Sequence, residues 1–136
     1  MKKYLLDTNA LGDLLNRRKG VDLRARAARD AGHKIGTCGP AVGEFYFGLE
    51  LSASREENLR RARPFVKGLV YWPFTPDAAA EFGRLHAALR KAGRMMQIPD
   101  IQIAAIAFTL GNCTVVSSDS DLSAVPGLSV ENWAAP

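Results

Sequence analysis

Two short apolar runs, YLL at 4–6 and TVV at 114–116, each lead within a few residues to an aspartate, Asp7 and Asp119. Each is too short to be a buried helix and lacks the alternation of a half-solvated strand. The expected structure is therefore a strand covered on both faces. Between them helical patterns alternate with further strand-like runs. Strands are expected over 3–6, 33–37, 70–74, 113–118 and 128–133. A helix is expected to start at Thr8 or Asn9, and a second to cover 21–31. Pro40 suits the first turn of a third, reaching about Leu51. The SREE stretch at 54–57 has the spacing of a capping box and opens a helix to about Lys67. Thr75-Pro76 starts another, reaching about Lys91, and Pro99 opens the last, which Gly111 ends. Strands alternating with helices predict an α/β fold, a three-layer sandwich whose central parallel sheet carries helices on both faces.

The 136 residues suffice for one domain spanning 1–136 with a single substantial core. No apolar stretch approaches the length of a membrane span, and the run before Asp7 is too short for an export signal, so a cytoplasmic location without membrane contact is expected. Cys38 and Cys113 are distant in sequence and show no metal-ligand spacing; a disulfide between them is not expected in a reducing compartment. With only His33 and His86 in the chain, a His-rich zinc site is excluded by counting.

Charge is unevenly spread. All 18 Lys and Arg lie at or before Arg94, beside ten of the 14 acids, giving that part +8. The remainder holds Asp100, Asp119, Asp121 and Glu131 with no Lys or Arg, giving −4. A basic majority and an acidic minority point to a polyanionic partner and a separate cation-seeking site, although for any single arginine a solvated helix face explains as much.

Open α/β sheets bind ligands beyond the carboxyl ends of their strands. Asp7 follows the first strand there, and Asp119 follows the fourth. Glu44 lies in the second turn of the helix after the second strand; a 100° projection sets it with Ala41, Gly48 and Leu51 on an apolar face. Asp100 opens a helix whose far end must meet the start of the fourth strand, which puts the acid at the same edge as the others. Each has a plain structural reading: Asp100 complements a helix dipole, Asp119 and Asp121 cap a loop, Asp7 or Asn9 is an N-cap. Together they gather four carboxylates in one cleft. Several carboxylates at such distances cannot all ionise without positive charge among them. All-oxygen donors select Mg²⁺ or Mn²⁺ over zinc, and such an ion supports phosphodiester hydrolysis.

The segments LLDTNALGDLL, GPAVGEFYFGL, IPDIQIAAIAF and VVSSDSDLSAVPGLSVENW resemble, in order and across essentially the whole chain, the motifs of PIN-domain ribonucleases. The nearest likeness is to the VapC-type toxins of bacterial toxin–antitoxin pairs, with the FitB-type proteins among them. The resemblance implies an endoribonuclease toxin inhibited by a cognate antitoxin. It implies that Asp7 and Asp100 bind the metal and that Glu44 and Asp119 complete the catalytic site. Two positions depart from the usual pattern: Ser117-Ser118 stand where a Thr-Asn pair is common, and Cys38-Gly39 where Ser or Thr is usual.

Other enzyme classes fit poorly. Receiver domains need a lysine after a late strand, and none follows Lys91. Haloacid-dehalogenase-type phosphatases need a second Asp where Asn9 stands. Neither a Walker-type phosphate loop nor G-x-S-x-G is present. The alternative of a different class is a non-catalytic or weakly catalytic partner in a DNA-binding regulatory complex. Arg17, Arg18 and Lys19, the stretch Arg55 to Arg63, and Arg84, Arg90 and Arg94 are candidate phosphate contacts, of which a subset should line the approach to the acids. The helix over 40–51 carries Phe45, Tyr46, Phe47, Leu49 and Leu51, more apolar surface than one face can bury. The remainder should meet an antitoxin helix or a second copy of the chain in a homodimer.

Overall fold

The computed structural model describes residues 1–135. Five strands, β1 (Lys3–Leu6), β2 (Lys34–Cys38), β3 (Val70–Trp72), β4 (Cys113–Val116) and β5 (Ser129–Glu131), form one parallel sheet in the order β3-β2-β1-β4-β5. The helices are α1 (Thr8–Leu15), α2 (Val21–Asp30), α3 (Gly39–Glu50), α4 (Arg55–Lys67), α5 (Pro76–Lys91), α6 (Ile98–Leu110) and α7 (Ser120–Ser123). The chain steps outward from β1 to β3, crosses back to β4, and steps outward again. Right-handed crossovers then put the helices of the two halves on opposite faces. The expected α/β sandwich is what the chain adopts.

The reversal sets β1 beside β4, and this pair forms the centre of the core. Leu5, Leu6, Val115 and Val116 are almost fully buried, in register as Leu5↔Val115 and Leu6↔Val116. Helix α6 lies against them with Ile101, Ile103 and Ile106 inaccessible, as its apolar circumference requires. Gly111 ends α6 in a backbone with φ 69°, a conformation that a side chain would strain. On β2, a Cβ at Gly36 would stand 2.5 Å from the Val70 carbonyl and 2.7 Å from the Trp72 ring, so only glycine lets β3 pair there.

Three local expectations need correction. Ser54 makes no side-chain capping bond, so the SREE stretch is not a working capping box. Its carbonyl accepts from the Asn58 amide instead, and Arg55 ties the helix start to Glu50 and Glu56. The stretch expected to be a loop after β4 contains the one-turn helix α7. The face of α3 shared by Ala41, Glu44, Gly48 and Leu51 is not buried along its length: Ala41 is inaccessible, but Glu44 and Gly48 are exposed and Leu51 is 73% exposed. The outer turns of α3 project past the core. Strands β3, β4 and β5 are also shorter than expected. No disulfide joins the cysteines; Cys38 is buried at the end of β2, and burial pushes its thiol up to about 12.

Candidate active site at the strand switch point

Where strand order reverses, the loops after two adjacent parallel strands diverge and leave a crevice. Here the crevice lies beyond Leu6 and Val116. The Asp7 amide donates to the Val116 carbonyl at 3.2 Å, and the Ser117 amide to the Glu131 carbonyl at 3.0 Å, so the sheet bonding continues one residue past both strands. Asp7 is 5% exposed and caps α1, its carboxylate accepting from the Ala10 amide at 2.9 Å. The choice left open between Asp7 and Asn9 as N-cap thus falls to Asp7. Asp119 caps α7 by accepting from the Asp121 amide at 2.8 Å, and its own amide donates to the Ser117 hydroxyl at 2.9 Å. Asp100 sits in the first turn of α6, half-buried. Glu44 reaches in from α3, where the Thr8 hydroxyl donates to its Oε1 at 3.1 Å.

These four acids line one cleft of about 210 Å³ with Thr8, Asn9 and Gln97. No Lys, Arg or His lines it, and no ion pair among the described residues involves any of the four. The electrostatic consequence falls on Asp100 and Asp7. Asp100 is pushed up to about 7, first by burial, then by the Asp119 charge and the hydrogen bond with Asp119, and further by Glu44 and Asp7. Asp7 is also raised, mainly by burial. Hydrogen bonds from Ser117 and the Ala10 amide oppose that shift, and Asp119 and Asp13 add to it. Burial and the neighbouring carboxylates therefore favour the protonated form of Asp100.

The donor set fits a hard divalent cation: carboxylate and hydroxyl oxygens, with no sulfur or imidazole. Among the described residues no three such side chains are drawn together tightly enough to cage an ion alone. Mg²⁺ is commonly held by one or two carboxylates with water completing its shell, so this spacing matches its habit.

The substitution of Ser117 for the usual threonine keeps the hydroxyl that touches both Asp7 and Asp119, whereas Ser118 points to solvent. One acid was not visible in the sequence as part of this region. Asp13 is 8% exposed on α1 and pairs with Arg18 at 3.3 Å. Its position between Leu11 and Leu14, on the apolar side of a short helix, is the signal that marks it. Thr8 and Gln97 are further cleft residues that residue type alone does not single out. Among the basic candidates, Arg18 and Lys19 stand beside the cleft. Arg55, Arg60 and Arg84 are instead tied to surface acids, and Arg94 donates to the Ala124 carbonyl.

The PIN domain family matches residues 4–128. The chain belongs to the PIN-domain family. Ribonuclease VapC2 of Haemophilus influenzae is 34% identical over 133 residues, covering 98% of this chain and 99% of the relative. The tRNA(fMet)-specific endonuclease VapC of Shigella flexneri is 28% identical, covering 98% of this chain and all of its own length. The structure of DNA-bound VapBC from Salmonella typhimurium superposes with a TM-score of 0.86 at 25% identity, covering 98% of this chain and 99% of that one. No helix among the described residues of this PIN-domain chain is long and apolar enough to cross a membrane.

Proposed function

We propose that this PIN-domain protein is a Mg²⁺- or Mn²⁺-dependent endoribonuclease that acts in the cytoplasm on single-stranded or looped RNA, as the toxin of a toxin–antitoxin pair. The observation that carries the reading is the cleft at the switch point, lined by Asp7, Glu44, Asp100 and Asp119 and by no cation. The likeness to VapC ribonucleases along the whole chain supports it.

Asp7 and Asp100 are the principal metal ligands, and Glu44 and Asp119 complete the site. The bound ion supplies a Lewis acid for a phosphoryl oxygen and lowers the pKa of water. The protein's own groups do the rest. Asp7 is locked by the Ala10 amide and Ser117, so its carboxylate needs no reorganisation to meet positive charge. Positive charge in the cleft would favour the ionised form of Asp100, its proton passing to solvent, and a cleft carboxylate would then be placed to accept a proton from water. Glu44, fixed at Oε1 by Thr8, faces the open side from which a strand approaches.

The outer turns of α3 supply a partner surface. Phe45 is buried, but Phe47 is 66% exposed and Leu51 73% exposed. These apolar positions suit a cognate antitoxin's amphipathic helix or the second subunit of a homodimer. An antitoxin arginine reaching Asp7 and Asp100 would supply the missing charge with a matched fork. A second reading, a non-catalytic or weakly catalytic partner in a DNA-binding regulatory complex, draws on the likeness to the Salmonella VapBC structure, which is bound to DNA.

The deciding experiment incubates the purified chain with RNA in Mg²⁺ or Mn²⁺, in excess chelator, and as Asp7→Asn. Cleavage by the wild type alone, abolished by the other two conditions, is the expected result. Full activity in chelator overturns the mechanism. No cleavage by a chain that forms a partner-dependent DNA complex establishes the second reading. Co-purification with an antitoxin should suppress the activity, and a stable complex with undiminished cleavage would remove the inhibitory role.

A further inference from the structure

A second and larger hollow, about 500 Å³, opens directly beside the acidic cleft and shares Thr8, Asn9 and Glu44 with it. Its chemistry is different. Arg18, Lys19, Asn16 and Asn9 bring two cations and two amides to its wall, over an apolar floor that includes Phe45 and Leu49. Its cations come from the turn that joins α1 to α2, and that turn is held firmly. The Arg18 amide donates to the Asp13 carbonyl at 2.8 Å, the Arg17 amide to Leu14 at 3.3 Å, and Val21 returns a bond to the Arg18 carbonyl at 3.1 Å. Arg17 and Lys19 adopt φ of 51° and 58°, left-handed backbone that side-chain-bearing residues rarely take and that glycine would take freely. At Lys19 the turn thus keeps a cation of the hollow where backbone preference alone would install glycine, while Arg17 lines a different hollow beside Leu14 and Leu15.

Arg18 is positioned as well as placed. Asp13, buried on α1, holds its Nε at 3.3 Å, while Nη2 lies along bare Gly12, 3.4 Å from where a Cβ would stand. The Arg18 side chain remains 58% exposed and lines the hollow. A guanidinium oriented from behind by a buried carboxylate presents a fixed fork for a phosphate.

We propose that this hollow is a binding subsite for the RNA strand next to the scissile phosphate, with Arg18 and Lys19 gripping a flanking phosphate and Asn9 and Asn16 meeting the nucleotide. Asp13 and Gly12 are positioning residues for Arg18. The inference rests on the ribonuclease reading of the adjoining cleft and assigns that reaction its substrate grip.

The test uses the full chain, a short 5′-labelled single-stranded RNA for binding in chelator, and a longer RNA for cleavage kinetics. Variants are Lys19→Gln, which breaks no ion pair, Arg18→Gln, and Lys67→Gln as a control. Lys67 ends α4, which leads into the start of β3 and so lies at the opposite sheet edge. Each site variant should weaken RNA binding about tenfold at low salt, since a hydrogen bond to a charged group is lost. Each should also flatten the slope of log affinity against log salt by about 0.7 for the phosphate contact removed. KM should rise with kcat nearly unchanged, because the chemistry is carried out in the other cleft. Lys67→Gln should match wild type. Unfolding midpoints, together with the Lys19→Gln result, separate a damaged Arg18→Gln protein from lost contact. Wild type that binds and cuts RNA while both site variants match Lys67→Gln overturns the subsite and leaves the nuclease intact. The same outcome with antitoxin binding lost assigns the hollow to a peptide instead. Wild type that neither binds nor cuts RNA overturns the nuclease reading and this inference with it.

Discussion

The outer surfaces of α4 and α5 and the crevice between β1 and β4 hold acids on opposite terms. Most acids there have an arginine within reach: Arg55 with Glu56 and with Glu50 at the end of α3, Arg60 with Glu57, Arg84 with Glu81, while Asp77 at the start of α5 stands alone among the described residues. These pairs lie mostly in solvent, where they contribute little and hold the charges without strain. In the crevice, four acids share one small space without any cation, and two of them are driven toward protonation. Acids spread over helix surfaces report on solubility; acids crowded into one cleft without a cation report on what binds there. The uncompensated group is the candidate functional site, because a fold optimised only for stability would not keep it.

The sharpest way to break that contrast is to delete one uncompensated charge. Asp7→Asn retains shape and the capping oxygen but removes a charge proposed to hold the metal, so RNA cleavage should fall by at least about a hundredfold. The metal-free variant should unfold at an equal or higher temperature than wild type, because burial and like-charge repulsion are relieved. A cleavage assay paired with a thermal melt reads both; a variant that loses activity only because it unfolds would contradict the contrast.

Ser117→Ala tests the support beneath the acids. It removes the hydroxyl that accepts from the Asp119 amide and touches Asp7. Stability should drop by about 1–2 kcal/mol and cleavage by roughly tenfold, measured by denaturant unfolding and initial rates. Threonine at 117 should restore both.

A third prediction uses pH. The folded-state pKa of Asp100 lies near 7, above the ordinary 3.8, and Asp7 is shifted in the same direction. The folded protein therefore binds more protons than the unfolded chain between these values, and its metal-free stability should decline as pH rises from about 4 to about 7. Divalent-ion affinity should climb over the same interval, since the ion competes with those protons. Denaturant titrations in chelator across that range check the first part. Stability that rises steadily through it would show that the crevice acids carry no such strain.

The smallest effect belongs to the paired surface. Arg60→Gln breaks only the exposed pair with Glu57 and should change stability by no more than about 0.5 kcal/mol. Cleavage should remain at wild-type level, and a large loss of either would erase the distinction between the two regions.

What the sequence disclosed followed from how local each signal is. The β1 and β4 strands were legible because continuous apolar runs have one good solution, and Asp7 and Asp119 were legible because they follow those runs directly. Asp100 followed from helix polarity, and Glu44 from its place in the second turn after β2. The setting of Glu44 was misjudged, since a helical projection says which residues share a face but not how far along its length the core extends. Helix α7 is too short to show a period. The capping box at Ser54 failed because the turn before α4 is held through Asn58 and Arg55, contacts that no spacing rule contains. The Asp13–Arg18 pair joins a helix to the turn after it and depends on left-handed residues that look like ordinary cations in the sequence.

The central claim, that the four uncompensated carboxylates form a site for a hard divalent cation, is tested most directly by Mn²⁺ binding to the purified chain, followed by electron paramagnetic resonance at pH 7.5 beside Asp7→Asn and Asp100→Asn. Loss of the free Mn²⁺ signal on adding wild type, competition by Mg²⁺, and a strongly reduced effect in both variants is the predicted result. Equal Mn²⁺ binding by all three proteins, or none by wild type, would contradict it.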